Sequence, residues 1–205
     1  MIRLKQVTEE VARWVFEVHL TSETNWDIAF TNPTAGPWKR VMASDQWGRR
    51  GEVHRFLRED TRPDLILISD ELEAIVIVEA KTRVEQLLTE RQATKTVAVV
   101  KEMAELLQGR GSNPYWQRRA NYGTLCGLLW GGERKASPET LDKLKRTYLP
   151  IIASGSQIST SILTVECLRE PDQAHVRCSG RLEGMPQTGD LWAQKVLDSL
   201  NLNTE

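Results

Sequence analysis

An α/β fold, a central mixed β-sheet flanked by helices, is predicted by three observations. Two runs rich in Ile, Val and Leu, Leu65–Ile68 and Ala74–Lys81, are separated by the polar segment Asp70 to Glu73, as in a β-hairpin. Both faces of that hairpin are apolar, so each needs a covering layer. A long segment of helical period and then another short buried run follow it, the alternation typical of α/β chains.

The elements follow in order. Thr8 to Leu20 carries Val11, Val15 and Val18 near the helical period, with Thr8 placed to cap it. Thr21 to Arg50 reads as irregular, broken by Asn32-Pro33, Gly36-Pro37 and Gly48, and holds Trp26, Trp38 and Trp47. Glu52 to Leu57 reads as a strand leading into the hairpin. Val84 to Gln108 reads as one helix, with Val84, Leu87, Leu88, Val97, Val100, Ala104 and Leu107 on one side and Gly109 ending it. Arg110 to Tyr122 is a polar loop. Thr124 to Trp130 is a buried strand closed by Gly131-Gly132. Ser137-Pro138-Glu139 opens a helix to about Leu149, with Ser137 as cap and Pro138 in the first turn. Ile158–Leu168 and His175–Leu182 predict a late hairpin, and Leu191 to Leu200 a last helix.

Length and composition exclude several classes. At 205 residues the chain suits one domain with a sizeable core, and 40% apolar with 27% charged residues excludes a disordered chain. No apolar run approaches the about 18 residues of a membrane span, and the N-terminus lacks the apolar centre of a signal peptide. Three cysteines (Cys126, Cys167, Cys178) with no CxxC pair argue against a disulfide framework and a zinc site, and fit small buried residues in a reducing cytoplasm. Three scattered histidines, His19, His54 and His175, offer little for a histidine-based metal site or a catalytic triad; His54 reads as structural. A net charge of −1 is not that of a passive nucleic-acid binder, although local arginine clusters and bound cations supply positive potential.

Chemistry concentrates at the hairpin ends. In an antiparallel hairpin with an even-numbered loop, Asp64 faces Glu79, Ile66 faces Ile77 and Ile68 faces Ile75. Opposed residues project to the same face. Lys81, two residues beyond Glu79, shares that face at about 6.5–7 Å along the strand. Asp64, Glu79 and Lys81 therefore form one patch at the open end of the hairpin. Two carboxylates, with the Ala80 carbonyl as a further oxygen, suit magnesium, a hard cation that prefers oxygen ligands. Such an ion polarises a phosphoryl oxygen and acidifies a bound water. A neighbouring lysine orients the attacking water or stabilises developing charge. The bland alternative is a turn aspartate after a proline and a solvated strand end; the joint placement on one face favours the site.

Pro63-Asp64 and Glu79-Ala80-Lys81 on two Ile/Val strands, preceded and followed by helices, resemble the PD-(D/E)XK motif of the restriction-endonuclease-like nucleases. The resemblance covers about residues 8–130 of a single domain spanning 1–205, with residues from about 131 as a C-terminal addition. It implies that Asp64 and Glu79 bind magnesium, with manganese able to substitute, and that Lys81 assists catalysis. The family often adds a glutamate from upstream: Glu52 is preferred here and Glu17, on the first predicted helix, is the alternative. A Gln-x-x-x-Tyr motif carried by many repair members is absent, since Glu90 and Thr96 follow Gln86 and Gln92 at that spacing; Gln92 stays a candidate support for the carboxylates. Lys39-Arg40, Arg49-Arg50 and Arg118-Arg119, each in a loop with tryptophan or tyrosine nearby, are either DNA contacts or solvated surface. The implied activity is magnesium-dependent cleavage of duplex DNA by a homodimeric, sequence-specific restriction endonuclease. The alternatives are a structure-specific repair or junction-resolving nuclease, and a DNA-binding module without turnover.

Overall fold

The computed structural model describes residues 26–31, 63–105, 117–132, 134–152, 158–169, 176–183 and 190–200. Among them runs one six-stranded sheet: β1 (Asp27–Thr31), β2 (Leu65–Ser69), β3 (Ala74–Lys81), β4 (Gly123–Gly132), β5 (Ile158–Arg169) and β6 (Val176–Glu183). Spatial order equals chain order. The β1–β2, β2–β3 and β5–β6 pairs are antiparallel, whereas β3–β4 and β4–β5 are parallel. The sheet is thus mixed and helix-flanked, the predicted α/β class. Its helices are α1 (Val84–Leu87), α2 (Glu90–Glu105), α3 (Pro138–Ile152) and α4 (Asp190–Ser199).

Period-two alternation sorts the strand residues into two cores. Ile66, Ile68, Ile75, Ile77, Cys126, Leu128, Trp130 and Ile162 lie under α1, α2 and α3, against Leu87, Val97, Leu144 and Tyr148. Leu65, Leu67, Val76, Val78, Leu125, Leu129, Leu163 and Val165 face the other way, against Trp26 and the Ala193, Val196, Leu197 and Leu200 stripe of α4. Where the two valines of β3 press on β4, the chain has Gly127: a Cβ there would lie 3.0 Å from both Val76 Cγ1 and Val78 Cγ2. The β2–β3 hairpin turns through Asp70–Glu73, with Glu73 in the left-handed region at φ 48°.

The structure departs from the sequence reading in four places. Asp27–Thr31, within the stretch read as irregular, is an edge strand on β2. Trp26 just before it is buried and its indole N–H donates to Ser199 Oγ of α4 at 3.1 Å. The single helix expected from Val84 is broken at Leu88–Thr89, where Thr89 Oγ1 accepts the Gln92 N–H and starts α2. The Leu87 carbonyl, released from the helical ladder, accepts the Tyr148 hydroxyl of α3 at 2.8 Å. Helix α3 runs past Leu149 and takes Pro150 into its last turn. Cys167 and Cys178 are not free: they are directly opposed on β5 and β6 and joined as a disulfide, while Cys126 is a buried thiol. The pairing register of that late hairpin brings the two sulfurs together, and sequence spacing alone does not supply it.

The remaining elements agree. Thr124 to Trp130 lies within β4, the late hairpin is β5–β6, and α4 covers the expected last helix. After about residue 131, β5 and β6 extend the sheet, and α3 and α4 cover its two faces. No described helix is long and apolar enough to cross a membrane. The helix expected over Thr8–Leu20 and the strand expected over Glu52–Leu57 lie outside the described residues.

Candidate metal centre

Within the strands the hairpin register matches the expected pairing. Leu65 pairs with Val78, Ile66 with Ile77 and Ile68 with Ile75. Asp64 sits one step before β2, after Pro63, and its backbone N–H donates to the Val78 carbonyl at 3.1 Å. Glu79, Ala80 and Lys81 end β3, which runs parallel to β4 and β5. The carboxyl ends of parallel strands, where helices turn away from the sheet, are the usual place for a ligand site in open α/β sheets.

At that end three oxygens converge on one ammonium. Lys81 Nζ donates to Glu79 Oε1 at 2.7 Å and to the Ala80 carbonyl at 2.7 Å, and lies 3.7 Å from Asp64 Oδ2. Asp64 Oδ2 also accepts the Ala80 N–H at 2.8 Å, which fixes the carboxylate beside the strand end. Asp64 and Glu79 are 5% and 2% exposed. The patch is therefore less open than the sequence suggested, and its most exposed side chains are the cations Lys81 and Lys95, at 17% and 31%. Two carboxylates this deep are tolerable only with cations and donors around them.

Helix α2 supplies those partners. Gln92 Nε2 donates to Glu79 Oε1 at 2.7 Å and Lys95 Nζ lies 3.2 Å from the same oxygen. Thr96 Oγ1 accepts the other Gln92 amide proton at 3.2 Å and donates to the Gln92 carbonyl at 2.9 Å, holding the amide in place. Gln92, Lys95 and Thr96 share one side of the helix because residues three and four apart are neighbours there. The sequence pointed to Gln92; Lys95 was missed, although its spacing from Gln92 was a usable signal. Beneath Glu79, burial and then the Glu79 charge push the Cys126 thiol well up. Burial, with Cys126 and Glu79 adding to it, raises Tyr148 likewise, so its hydroxyl keeps the proton it donates to Leu87.

The donor set, two carboxylate groups and one carbonyl, is hard and anionic, and it already surrounds a cationic group. It fits magnesium, which takes a few protein oxygens and keeps waters for the rest of its shell. Among the described residues no group of three or more His, Cys, Asp or Glu side chains comes together, so the carbonyl is needed to make a third ligand. Glu52 and Glu17 lie outside the described residues, as do Lys39, Arg40, Arg49 and Arg50.

The remaining predicted pair divides. Arg118 is exposed. Arg119 is buried at the opposite end of the sheet, beside the hairpin turn, where Nε and Nη2 donate to the two Asp70 carboxylate oxygens at 2.8 and 2.6 Å. Its guanidinium also lies 5.9 Å from the Tyr122 ring centroid, and the Tyr122 hydroxyl donates to Asp70 at 3.1 Å. That geometry locks the 117–122 turn to the hairpin and does not aim Arg119 at the carboxylates.

A further row crosses the same face. Lys81 pairs with Trp130, and Trp130 with Glu166. Glu166 is buried, and its Oε1 accepts both the Trp130 indole N–H at 3.0 Å and the Ala136 N–H at 2.6 Å. The segment leading into α3 is thereby tied down beside the candidate metal centre. Comparison of the chain with protein-family models, curated proteins and solved structures finds no match.

Proposed function

We propose that this protein is a magnesium-dependent endonuclease that hydrolyses phosphodiester bonds of duplex DNA, with sequence-specific restriction cleavage by a homodimer as the preferred form. One observation carries the reading: Asp64, Glu79 and the Ala80 carbonyl converge on a single cationic group at the carboxyl ends of parallel strands. A buried acidic pair with a lysine between its members is costly as scaffold and useful as a cation site. Asp64, Glu79 and the Ala80 carbonyl would hold magnesium, with manganese an acceptable substitute. The ion, when bound, polarises a phosphoryl oxygen and acidifies water.

The side chains have separable duties. Gln92 and Lys95 hold Glu79 Oε1 in place, so the carboxylate is oriented before any ligand arrives. The Ala80 N–H does the same for Asp64. Lys81, the most exposed of the central three, turns its ammonium from the carboxylates to the substrate, where it orients the attacking water and offsets charge growing on the phosphoryl oxygens. Two copies related by a twofold axis would cut both strands. This reading puts the protein with its DNA substrate in the cytoplasm, and the Cys167–Cys178 disulfide removes the cysteine argument for that compartment.

The test is incubation with plasmid DNA and magnesium, alongside Asp64→Asn. Discrete fragments made by the native protein and not by the variant are expected. A smear would favour a nuclease without base preference. Equal cutting by both proteins, or magnesium binding without cleavage of any nucleic acid, would sink the assignment.

A further inference from the structure

A cleft of about 640 Å³ opens beside the candidate metal centre. One wall is Thr82–Glu85, the link that follows Lys81 and the start of α1. The floor is the end of β4 at Trp130–Gly132, and the far wall is Arg134 to Thr140, the lead-in and first turn of α3. Three of its charged lining residues are cations, Arg83, Arg134 and Lys135, against the single acid Glu85 among the described lining residues. Arg83, Arg134 and Lys135 are all exposed.

The cleft is a built feature of the fold. Glu166 holds the far wall through the Ala136 N–H and the floor through the Trp130 indole. Ser137 Oγ accepts the Thr140 N–H at 3.2 Å, which fixes where α3 begins. Lys81 pairs with Trp130 in the sheet, so floor and metal centre share a strand row. The lining begins at Thr82, the residue after Lys81.

We infer that this cleft seats the sugar–phosphate backbone of the DNA strand adjoining the scissile phosphate, with Arg134 and Lys135 as its phosphate contacts. The chemistry is that of cationic side chains on a rigid wall facing an elongated anion. The assignment of the strand to the scissile one rests on the nuclease reading; the presence of a DNA-backbone site does not.

The test is fluorescence anisotropy of a short, mixed-sequence labelled duplex in EDTA, where magnesium-dependent cutting cannot intervene, across a salt series. The variant is Arg134→Gln/Lys135→Gln, two exposed positions outside the helices. Its control is Lys143→Gln/Arg146→Gln, which removes equal charge from the exposed side of α3. The cleft variant should bind about tenfold more weakly at moderate salt, and its log–log salt slope should shrink by about 2, near the contribution of two phosphate contacts. The control should stay within about twofold, as expected for charges that do not touch phosphate. Unchanged affinity and slope in the cleft variant would overturn the inference, as would absence of DNA binding by the native protein. Native protein that binds through the cleft yet shows no Asp64-dependent cutting would instead refute the nuclease reading and leave the cleft standing.

Discussion

Lys81→Met isolates what the ammonium does between the two buried carboxylates. The substitution keeps the length and apolar stem of the side chain and removes, among the described residues, polar contacts at 2.7, 2.7 and 3.7 Å. Breaking a fully buried ion pair costs about 3–5 kcal/mol. Here the loss is smaller, because the Lys81 side chain is 17% exposed and Glu79 keeps Gln92 and Lys95. A destabilisation of about 2 kcal/mol is expected, which for a domain of this size lowers Tm by about 4–8 °C. Magnesium should then reverse the effect. In the native protein a cation must displace the ammonium from its oxygens; in the variant the Lys81 ammonium no longer occupies that position between Asp64 and Glu79. At about a hundredfold excess over Kd, binding to the folded state alone adds about 2.7 kcal/mol, enough to restore the lost Tm. Thermal melts with and without magnesium measure this directly, without reference to DNA. A magnesium shift in Tm no larger for Lys81→Met than for the native protein, or one left intact by adding Asp64→Asn, would refute this role of the ammonium.

Other outcomes follow from the same geometry. Arg119→Gln should lower stability by about 1–2 kcal/mol, through loss of a bidentate carboxylate contact, and leave DNA affinity within about twofold; chemical denaturation and anisotropy separate the two, and a large affinity loss at unchanged stability would return Arg119 to the DNA-binding surface. Gly127→Val should cost at least about 1–3 kcal/mol by driving methyl groups into Val76 and Val78, seen as a lower denaturation midpoint. Thiol titration without reductant should find no reactive thiol in the native protein, because burial holds Cys126 protonated, and one per chain after unfolding; three after unfolding would show that Cys167 and Cys178 are unpaired.

The hairpin shows what a sequence can determine by itself. Leu65–Ile68 and Ala74–Lys81 carry enough β-branched and aliphatic residues to be strands, and the four residues between them allow a tight loop. Strict alternation then predicts that Asp64, Glu79 and Lys81 share one face, and the Lys81 ammonium does lie 2.7 Å from Glu79 Oε1 and 3.7 Å from Asp64 Oδ2. Those inferences are local: they need only the pleat of two neighbouring strands. The helical character of the segment after the hairpin and the capping of α3 by Ser137 were legible for the same reason.

What the sequence left open depended on residues distant in the chain. The break in the helix that begins at Val84 is set partly by Tyr148, which lies 61 positions from Leu87 and donates its hydroxyl to the Leu87 carbonyl. Arg119 reads as a surface cation until its packing against Asp70 and Tyr122 is seen. Lys95 reads as an exposed helix residue until β3 is placed beneath α2. The disulfide required the β5–β6 register, and the cleft required Glu166 to draw the approach to α3 onto Trp130. Local alternation determined which residues share a face. Only the tertiary packing of helices on that face decided how deeply the carboxylates are buried and which cations accompany them, because desolvation and Coulomb attraction depend on distances in space and not on spacing along the chain.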